Sequence, residues 1–342
     1  MDAIAKLAGV SITTVSHVVN KTRRVAPDTE QAVLKAIAQC GYLPENRNPV
    51  QGAASQTIGL AVPLMSDPYL GELVNSLERA ASQAGYTVLL AETHDDLNGQ
   101  LRAVMQLLGR QVDGIILAPV ADPTFTLEHA AHRDVPILLV DRTFPASADG
   151  TTTGRLMTAP VDQISVEATR STASLVSHLV DNGHQRIGMV SGKTGLSTTD
   201  DRLLGYRLGL REAGIPIDEA LLVSGEGTED AAAAAVSKLL ALPRPPTAVV
   251  VGNNRMTIGV MRGLQEAAVK VPDQMALAAY DDFDWADLFH PRLTVIRQPV
   301  HSLGQQAVHL LLDRVANPDA PARRVVLNPE FMHRDSCGCH RS

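Results

Sequence analysis

Ser11, Thr13, Thr14 and Ser16 place four hydroxyls, His17 an imidazole and Asn20 a carboxamide between positions 11 and 20. Groups of this kind exchange hydrogen bonds without carrying fixed charge, which is the chemistry that reads base edges. Thr13 can donate or accept, His17 can donate to a guanine acceptor, and the apolar Ile12 can meet a thymine methyl. The flanking residues supply the elements that must hold them. Ile4, Leu7 and Ala8 form an apolar stripe at helical spacing, and Gly9 suits the left-handed conformation at which helices end. Ser11 is placed to cap a second helix, along which Val15, Val18 and Val19 repeat the stripe. Two short helices around a tight turn, the second with small polar side chains on its outer face, are the build of a helix-turn-helix DNA reader. A helical hairpin within a larger bundle is the alternative.

After Pro44 and Pro49 a stretch of small and polar residues runs to Gln56 and reads as a linker. Beyond it apolar strands alternate with amphipathic helices: TIGLAVP, YTVLLAE, DGIILAP and PILLVD in one set, then RIGMVSG, LLVSGEG, TAVVVGN and MALAAYD in another. The intervening helices are expected near residues 73–83, 98–108, 166–180, 203–212, 229–240 and 256–268, with a last one at 301–316. This rhythm predicts an α/β chain with two doubly wound parallel sheets. Two similar halves predict a ligand cleft between them, lined by residues just after the strands.

At 342 residues the chain has room for more than one domain, and 45% hydrophobic residues with one tryptophan describe an ordinary globular protein. No apolar run is long enough to span a membrane, and the first residues read as helix rather than as a secretory leader, so a cytoplasmic location is expected. Three cysteines, Cys40, Cys337 and Cys339, do not build a disulfide framework. The net charge of −7 divides unevenly: residues 1–49 carry +2 and the remainder −9. Basic residues are thus relatively concentrated where phosphate would be met. GKT at 192–194 lacks the glycine spacing of a phosphate-binding loop, and Gly225 with Gly227 lacks the third glycine of a dinucleotide site. Cys337, Cys339 and His340 lack a second ligand pair and read as a tail rather than a metal site. No spacing argues for catalysis, and neither an enzyme nor a cofactor is expected.

The run AGVS–TTVS–VVN, the segment VAPDTEQAVLKAIAQCGYLP, VDR at 140–142, RLLGY at 202–206, VPDQMALAAYDDF at 271–283 and LTVIRQP at 293–299 occur in the order of one family. The chain resembles the LacI/GalR bacterial repressors essentially end to end, and its reading segment is most similar to their purine-repressor branch. The resemblance implies an N-terminal helix-turn-helix domain (1–44), a hinge (45–56) and a periplasmic-binding-protein-like domain (57–342). That domain divides into one lobe of about 57–160 plus 292–325 and another of about 161–291 plus 326–336. Ile12, Thr13 and His17 are implied to read bases, and Thr14, Ser16 and Asn20 to touch phosphates or pack, with Ser11, Lys21 and Tyr42 completing the DNA contacts. Asn20 can alternatively cap its own helix. The hinge departs from the family. ENRNPVQGAASQ places Pro49 and Gly52 where a minor-groove helix is expected and leaves Val50 as the nearest apolar wedge.

The implied effector positions are Tyr69, Leu70, Arg142, Thr198, Arg202, Asn254 and Asp281. Arg202 and Asp281 make a donor and acceptor pair suited to ring hydroxyls, or alternatively a salt bridge closing the cleft. Where the purine branch stacks its base on aromatics this chain has Leu70 and Gly227, and where that branch adds an arginine it has Leu196. These residues favour a sugar or a related small polar metabolite over a flat base. The resulting expectation is a ligand-gated repressor that binds a palindromic double-stranded DNA operator as a homodimer or higher assembly. A purine-dependent repressor, or a solute-binding protein with no role on DNA, are the alternatives.

Overall fold

The computed structural model describes residues 2–20, 25–40, 55–120, 122–130, 133–144, 161–283 and 285–339. Helices α1 (Asp2–Ala8), α2 (Ile12–Asn20) and α3 (Pro27–Cys40) form the N-terminal unit. Gly9 ends α1 at φ +65°, and the unit closes over Ile4, Ala5, Val15, Val18, Val33, Ala36 and Ile37. Leu7, expected on the buried stripe, is 58% exposed. The reason is that α1 packs chiefly along α3, which covers Ile4 and Ala5 and turns Leu7 outward.

The remaining elements build two six-stranded sheets. The first runs β11 (Arg324–Leu327), β5 (Asp162–Val166), β4 (Ile137–Val140), β3 (Gly114–Leu117), β1 (Thr57–Val62) and β2 (Thr87–Glu92). All its pairings are parallel. The second runs β12 (Glu330–Met332), β10 (Thr294–Arg297), β9 (Ala276–Tyr280), β8 (Ala248–Val251), β6 (Ile187–Ser191) and β7 (Leu222–Ser224), and only the β10–β12 pair is antiparallel. Central strands such as β3, β4 and β8 are buried at every residue. Helices on both faces force that, and it explains why their sequences are unbroken apolar runs rather than alternating ones. In the first lobe α4 (Pro68–Gln83) and α11 (Val300–Ala316) cover one face, and α5 (Leu97–Gly109) and α6 (Thr124–Ala130) the other. In the second, α7 (Thr169–Asp181) and α8 (Ser197–Glu212) lie opposite α9 (Glu229–Leu240) and α10 (Asn254–Glu266). A Cβ added to Gly205 would lie 2.3 Å from the Thr169 carbonyl oxygen, so this glycine sets how closely α8 approaches α7. Among the described residues no helix is long and apolar enough to cross a membrane.

The expected doubly wound α/β class is what the chain adopts, but two lobe boundaries move. Residues 162–166, expected to begin the second lobe and to run into its first helix, are strand β5 of the first sheet. Residues 294–297, expected to have returned to the first lobe, pair with β9 in the second. The chain therefore crosses after β5, after β10 and after β11. The parallel register of β5 against both β4 and β11 decides the first of these corrections, because it adds two strands to the first sheet. The segment 41–54, holding Tyr42, Val50 and the Pro49–Gly52 hinge, lies outside the described residues. Ser55 follows it and is tied to Asp113 through its backbone N–H (2.9 Å) and hydroxyl (3.1 Å).

Candidate functional site

In the N-terminal unit the Ser11 hydroxyl accepts the Thr14 backbone N–H at 3.1 Å, the N-cap bond that starts α2. Its Oγ also lies 2.9 Å from the Thr14 hydroxyl, so Thr14 is engaged within the cap. Burial of Val15 and Val18 fixes the rotation of α2 and leaves Ser11, Ile12 and Thr13 exposed and Ser16 and His17 half-buried. Ile12, at 48% exposure, is an apolar side chain held toward solvent at the front of the helix. Asn20 ends α2. Lys21, like Tyr42 and Val50, lies outside the described residues.

Between the lobes is a cavity of about 220 Å³. Six expected effector residues line it: Tyr69, Leu70, Arg142, Thr198, Arg202 and Asp281. Leu196 and Gly227 line it as well. Asn254 does not, being fully buried behind the wall. Its neighbour Asn253 faces the cavity instead, because as N-cap of α10 it turns toward the Met256 N–H (2.8 Å) at the helix mouth. Arg142 is partly committed elsewhere, donating to Asp95 at 3.2 Å and to the Pro119 carbonyl at 3.1 Å.

Asp67, Asp141, Lys193, Ser197 and Gln298, none of them among the expected positions, join Tyr69 and Asp281 around the cleft. Asp141 and Asp281 follow β4 and β9 directly, with φ of 66° and 71°. Left-handed conformations are tolerated by aspartate and gather at functional strand ends. The Tyr69 hydroxyl donates to Asp141 at 2.8 Å. The Gln298 amide, from the crossover after β10, donates to Asp281 at 2.5 Å. Asp67 caps α4 by accepting the Tyr69 N–H. Lys193, the lysine of GKT, reaches across the cleft to the Asp95 carboxylate at 3.2 Å, and Ser197 accepts the Thr143 N–H across it at 3.0 Å. The position directly after each strand was the readable signal, and VDR at 140–142 contained Asp141.

Electrostatics follow from enclosure. Burial pushes the Asp281 carboxyl up to about 6, against the pull of Arg202 and the Gln298 amide, and the like charges of Asp67 and Asp141 add to it. Burial also raises Asp67, opposed by the backbone N–H groups of Leu70 and Tyr69. The Tyr69 phenol is held well above its ordinary value by burial and by Asp141 and Asp281, so it remains a neutral donor. Arg202 stacks over the Tyr280 ring at 3.8 Å and donates to the Gly252 carbonyl. Its Nε is buried without a hydrogen-bond partner.

A separate cluster joins the carboxy-terminal segment to α7. One ligand atom each from His178, His333, Cys337 and Cys339 lies within 4.8 Å of the other three. Cys337 is fully buried. This corrects the expectation of a loose tail: His178 from α7 and His333 after β12 stand beside the two cysteines, which sequence spacing alone does not bring together. His340 lies outside the described residues.

Residues 1–45 match the model of bacterial regulatory proteins of the lacI family. Residues 176–337 match that of a periplasmic binding protein-like domain. Over 335 residues the chain is 32% identical to the HTH-type transcriptional repressor PurR of Photobacterium profundum, covering 97% of each chain. Among solved structures it is similar to the transcriptional regulator CelR in complex with cellobiose, with 28% identity, a TM-score of 0.74 and 98% of each chain covered. A LacI family regulator from Enterococcus faecium with bound ribose matches with 25% identity and a TM-score of 0.69, over 82% of this chain and 98% of that one.

Proposed function

The chain belongs to the LacI family of bacterial DNA-binding regulators, and we propose that it is a homodimeric repressor whose cleft takes a small sugar or related polyol. The observation that carries the effector class is the cleft lining. Asp67, Asp95, Asp141, Glu226 and Asp281 line the cleft together with Arg142, Lys193, Arg202 and Arg255, so charge is nearly balanced and both donors and acceptors are on offer. That pattern suits a neutral molecule with many hydroxyls. Tyr69 and the imidazole of His94 are the rings among the lining residues, the Tyr69 hydroxyl is bound to Asp141, and Leu70, Leu196 and Gly227 offer no flat face for a base. The unpartnered Nε of Arg202 is a buried donor that a ligand hydroxyl would satisfy. The cellobiose and ribose complexes of similar regulators agree with this class. A purine corepressor is the second reading, favoured by the 32% identity to PurR.

On the DNA side, Ile12, Thr13 and His17 are proposed to read bases, with Ser11, Ser16, Asn20 and Lys21 on the backbone and Tyr42 and Val50 nearer the hinge. Each N-terminal unit covers a half-site, which is why a dimer on a palindrome is proposed. Ligand closing the two lobes would alter the spacing of the paired units. Such coupling is worth about 1–3 kcal/mol and acts reciprocally on ligand and DNA.

The test is selection of a random duplex library by the purified protein, with and without pooled sugars or pooled nucleobases. A palindrome whose recovery changes with sugars supports the whole reading. A response to hypoxanthine or guanine alone replaces the sugar with a purine. Absence of any enriched sequence overturns the DNA-binding role and favours a solute-binding protein.

A further inference from the structure

We propose that His178, His333, Cys337 and Cys339 form a structural zinc site that fastens the carboxy-terminal segment to the second lobe. Two thiols and two imidazoles are the donor set of closed, four-coordinate zinc, and soft sulfur ligands select against magnesium and calcium. The ligand atoms all lie within 4.8 Å of one another, so one central ion reaches all four. Zinc bonds of roughly 2.0–2.3 Å define a tetrahedron with edges of roughly 3.3–3.8 Å. The Cys337 and Cys339 sulfurs are 2.7 Å apart and His333 Nε2 touches the Cys339 sulfur, so these pairs open by about 1 Å around the ion while the widest separation, within 4.8 Å, closes by a similar amount. That adjustment falls on Cys339 and His333, which are half-buried and exposed, rather than on the fully buried Cys337.

The surroundings hold the donors in place. The His178 ring packs edge-on against Phe331 (5.2 Å) and His333 (4.8 Å). Asn182, which caps the end of α7, donates its amide N–H to the His178 carbonyl oxygen at 2.8 Å, and the same Nδ2 lies 3.2 Å from the ring Nε2. Ser336, between the ligands, donates to the Leu277 carbonyl (2.7 Å) and accepts the Thr294 N–H (2.8 Å), stitching the segment to β9 and β10. Each thiol binds as a thiolate, so one Zn²⁺ displaces two protons into solvent. The two thiolates balance the ion's charge, and no electron is transferred. The bound ion closes a link between α7 and the end of the chain, bracing the sheet edge from which Arg334 clamps Asp282, next to Asp281.

The experiment uses the full-length protein without a histidine tag. After equimolar zinc and desalting, metal is counted by mass spectrometry, and cobalt replaces zinc for absorption spectroscopy. One zinc per chain is expected, with the intense visible bands and thiolate-to-cobalt charge transfer of a tetrahedral site. Cys339→Ser combined with His333→Ala is expected to reduce retained zinc at least tenfold at positions that are not in the core, with unchanged circular dichroism. Equal zinc in this variant and the parent overturns the proposal. So does a cobalt spectrum without thiolate charge transfer, which needs no variant, or a Cys337–Cys339 disulfide in protein kept from oxidants.

Discussion

Arg202 Nη2 stands 3.6 Å from Asp281 Oδ1 on the cleft wall, beyond hydrogen-bond length, although both residues are almost fully buried. Each is held by something else: Arg202 by the Tyr280 ring and the Gly252 carbonyl, Asp281 by Gln298. The pair is thus oriented by the protein without being closed on itself. A saturated salt bridge would have left no donor to offer, whereas here a buried guanidinium nitrogen lacks a partner.

Replacing Arg202 by lysine removes the planar fork and its stacking on Tyr280 while keeping the charge. Effector affinity is expected to fall about tenfold or more, since a hydrogen bond to a charged group contributes about 1.5–3 kcal/mol. DNA binding without effector is expected to persist. Titration calorimetry with a responding sugar checks this, and undiminished affinity would make the pair purely structural.

Asp281 gives the cleft a pH response of definite sign. Its folded value of about 6 lies above its ordinary 3.8. A ligand hydroxyl donating to the carboxylate favours the ionised form, so affinity should rise with pH and level off above 7. At pH 5, one unit below the folded value, it should be about tenfold weaker. For the empty protein the sign reverses: the stabilisation of the protonated form is full below pH 4 and is lost as pH rises through about 6. Asp281→Asn should therefore flatten both profiles, as binding and melting curves across pH 4.5–8 would reveal.

The parts readable from sequence are those in which one local pattern has one structural answer. The apolar runs at 114–117, 137–140 and 248–251 became central strands because only burial on both faces tolerates them. The Ser11 cap and the Val15–Val18 stripe likewise need only their own helix pair. What escaped was set by pairing at a distance. Strand β5 is short and mixed, and its lobe is decided by β4 and β11. Gln298 serves Asp281 only because the chain crosses between lobes just after β10. Asn253 rather than Asn254 lines the cavity because capping of α10 turns it to the helix mouth. His178 and Cys339 belong to one cluster only after α7 and the last strand have packed.

His17 is half-buried on α2 beside the exposed Thr13, on the face opposite the Val15–Val18 core. His17→Ala is expected to relax preference at one base pair per half-site by about 1–3 kcal/mol, leaving other positions unchanged. A salt titration should show the same slope as the parent, because no phosphate contact is lost. Uniform weakening across all sequences would instead assign His17 to the backbone.

Arg314 and Asp162 clamp the base of the first lobe, with Arg314 Nη2 and Nε donating to the two Asp162 oxygens at 3.0 and 3.1 Å. The residues are 4% and 1% exposed. Burial works against the Asp162 carboxylate, but the bonds from Arg314 and Arg323 outweigh it and hold its value below 3.8. The clamp therefore stabilises the fold above pH 4, and that contribution is lost as pH falls through the depressed value. Removing Arg314 leaves the buried Asp162 carboxylate with Arg323 as its cationic partner, so Arg314→Met is expected to cost about 1.5–3 kcal/mol, the contribution of hydrogen bonds to a charged group. Adding Asp162→Leu removes the under-compensated charge and should recover part of that loss. Urea unfolding of parent, single and double variants measures both effects, and a double variant no better than the single would mean that Asp162 matters through Arg323 and the Arg323 backbone N–H rather than through Arg314.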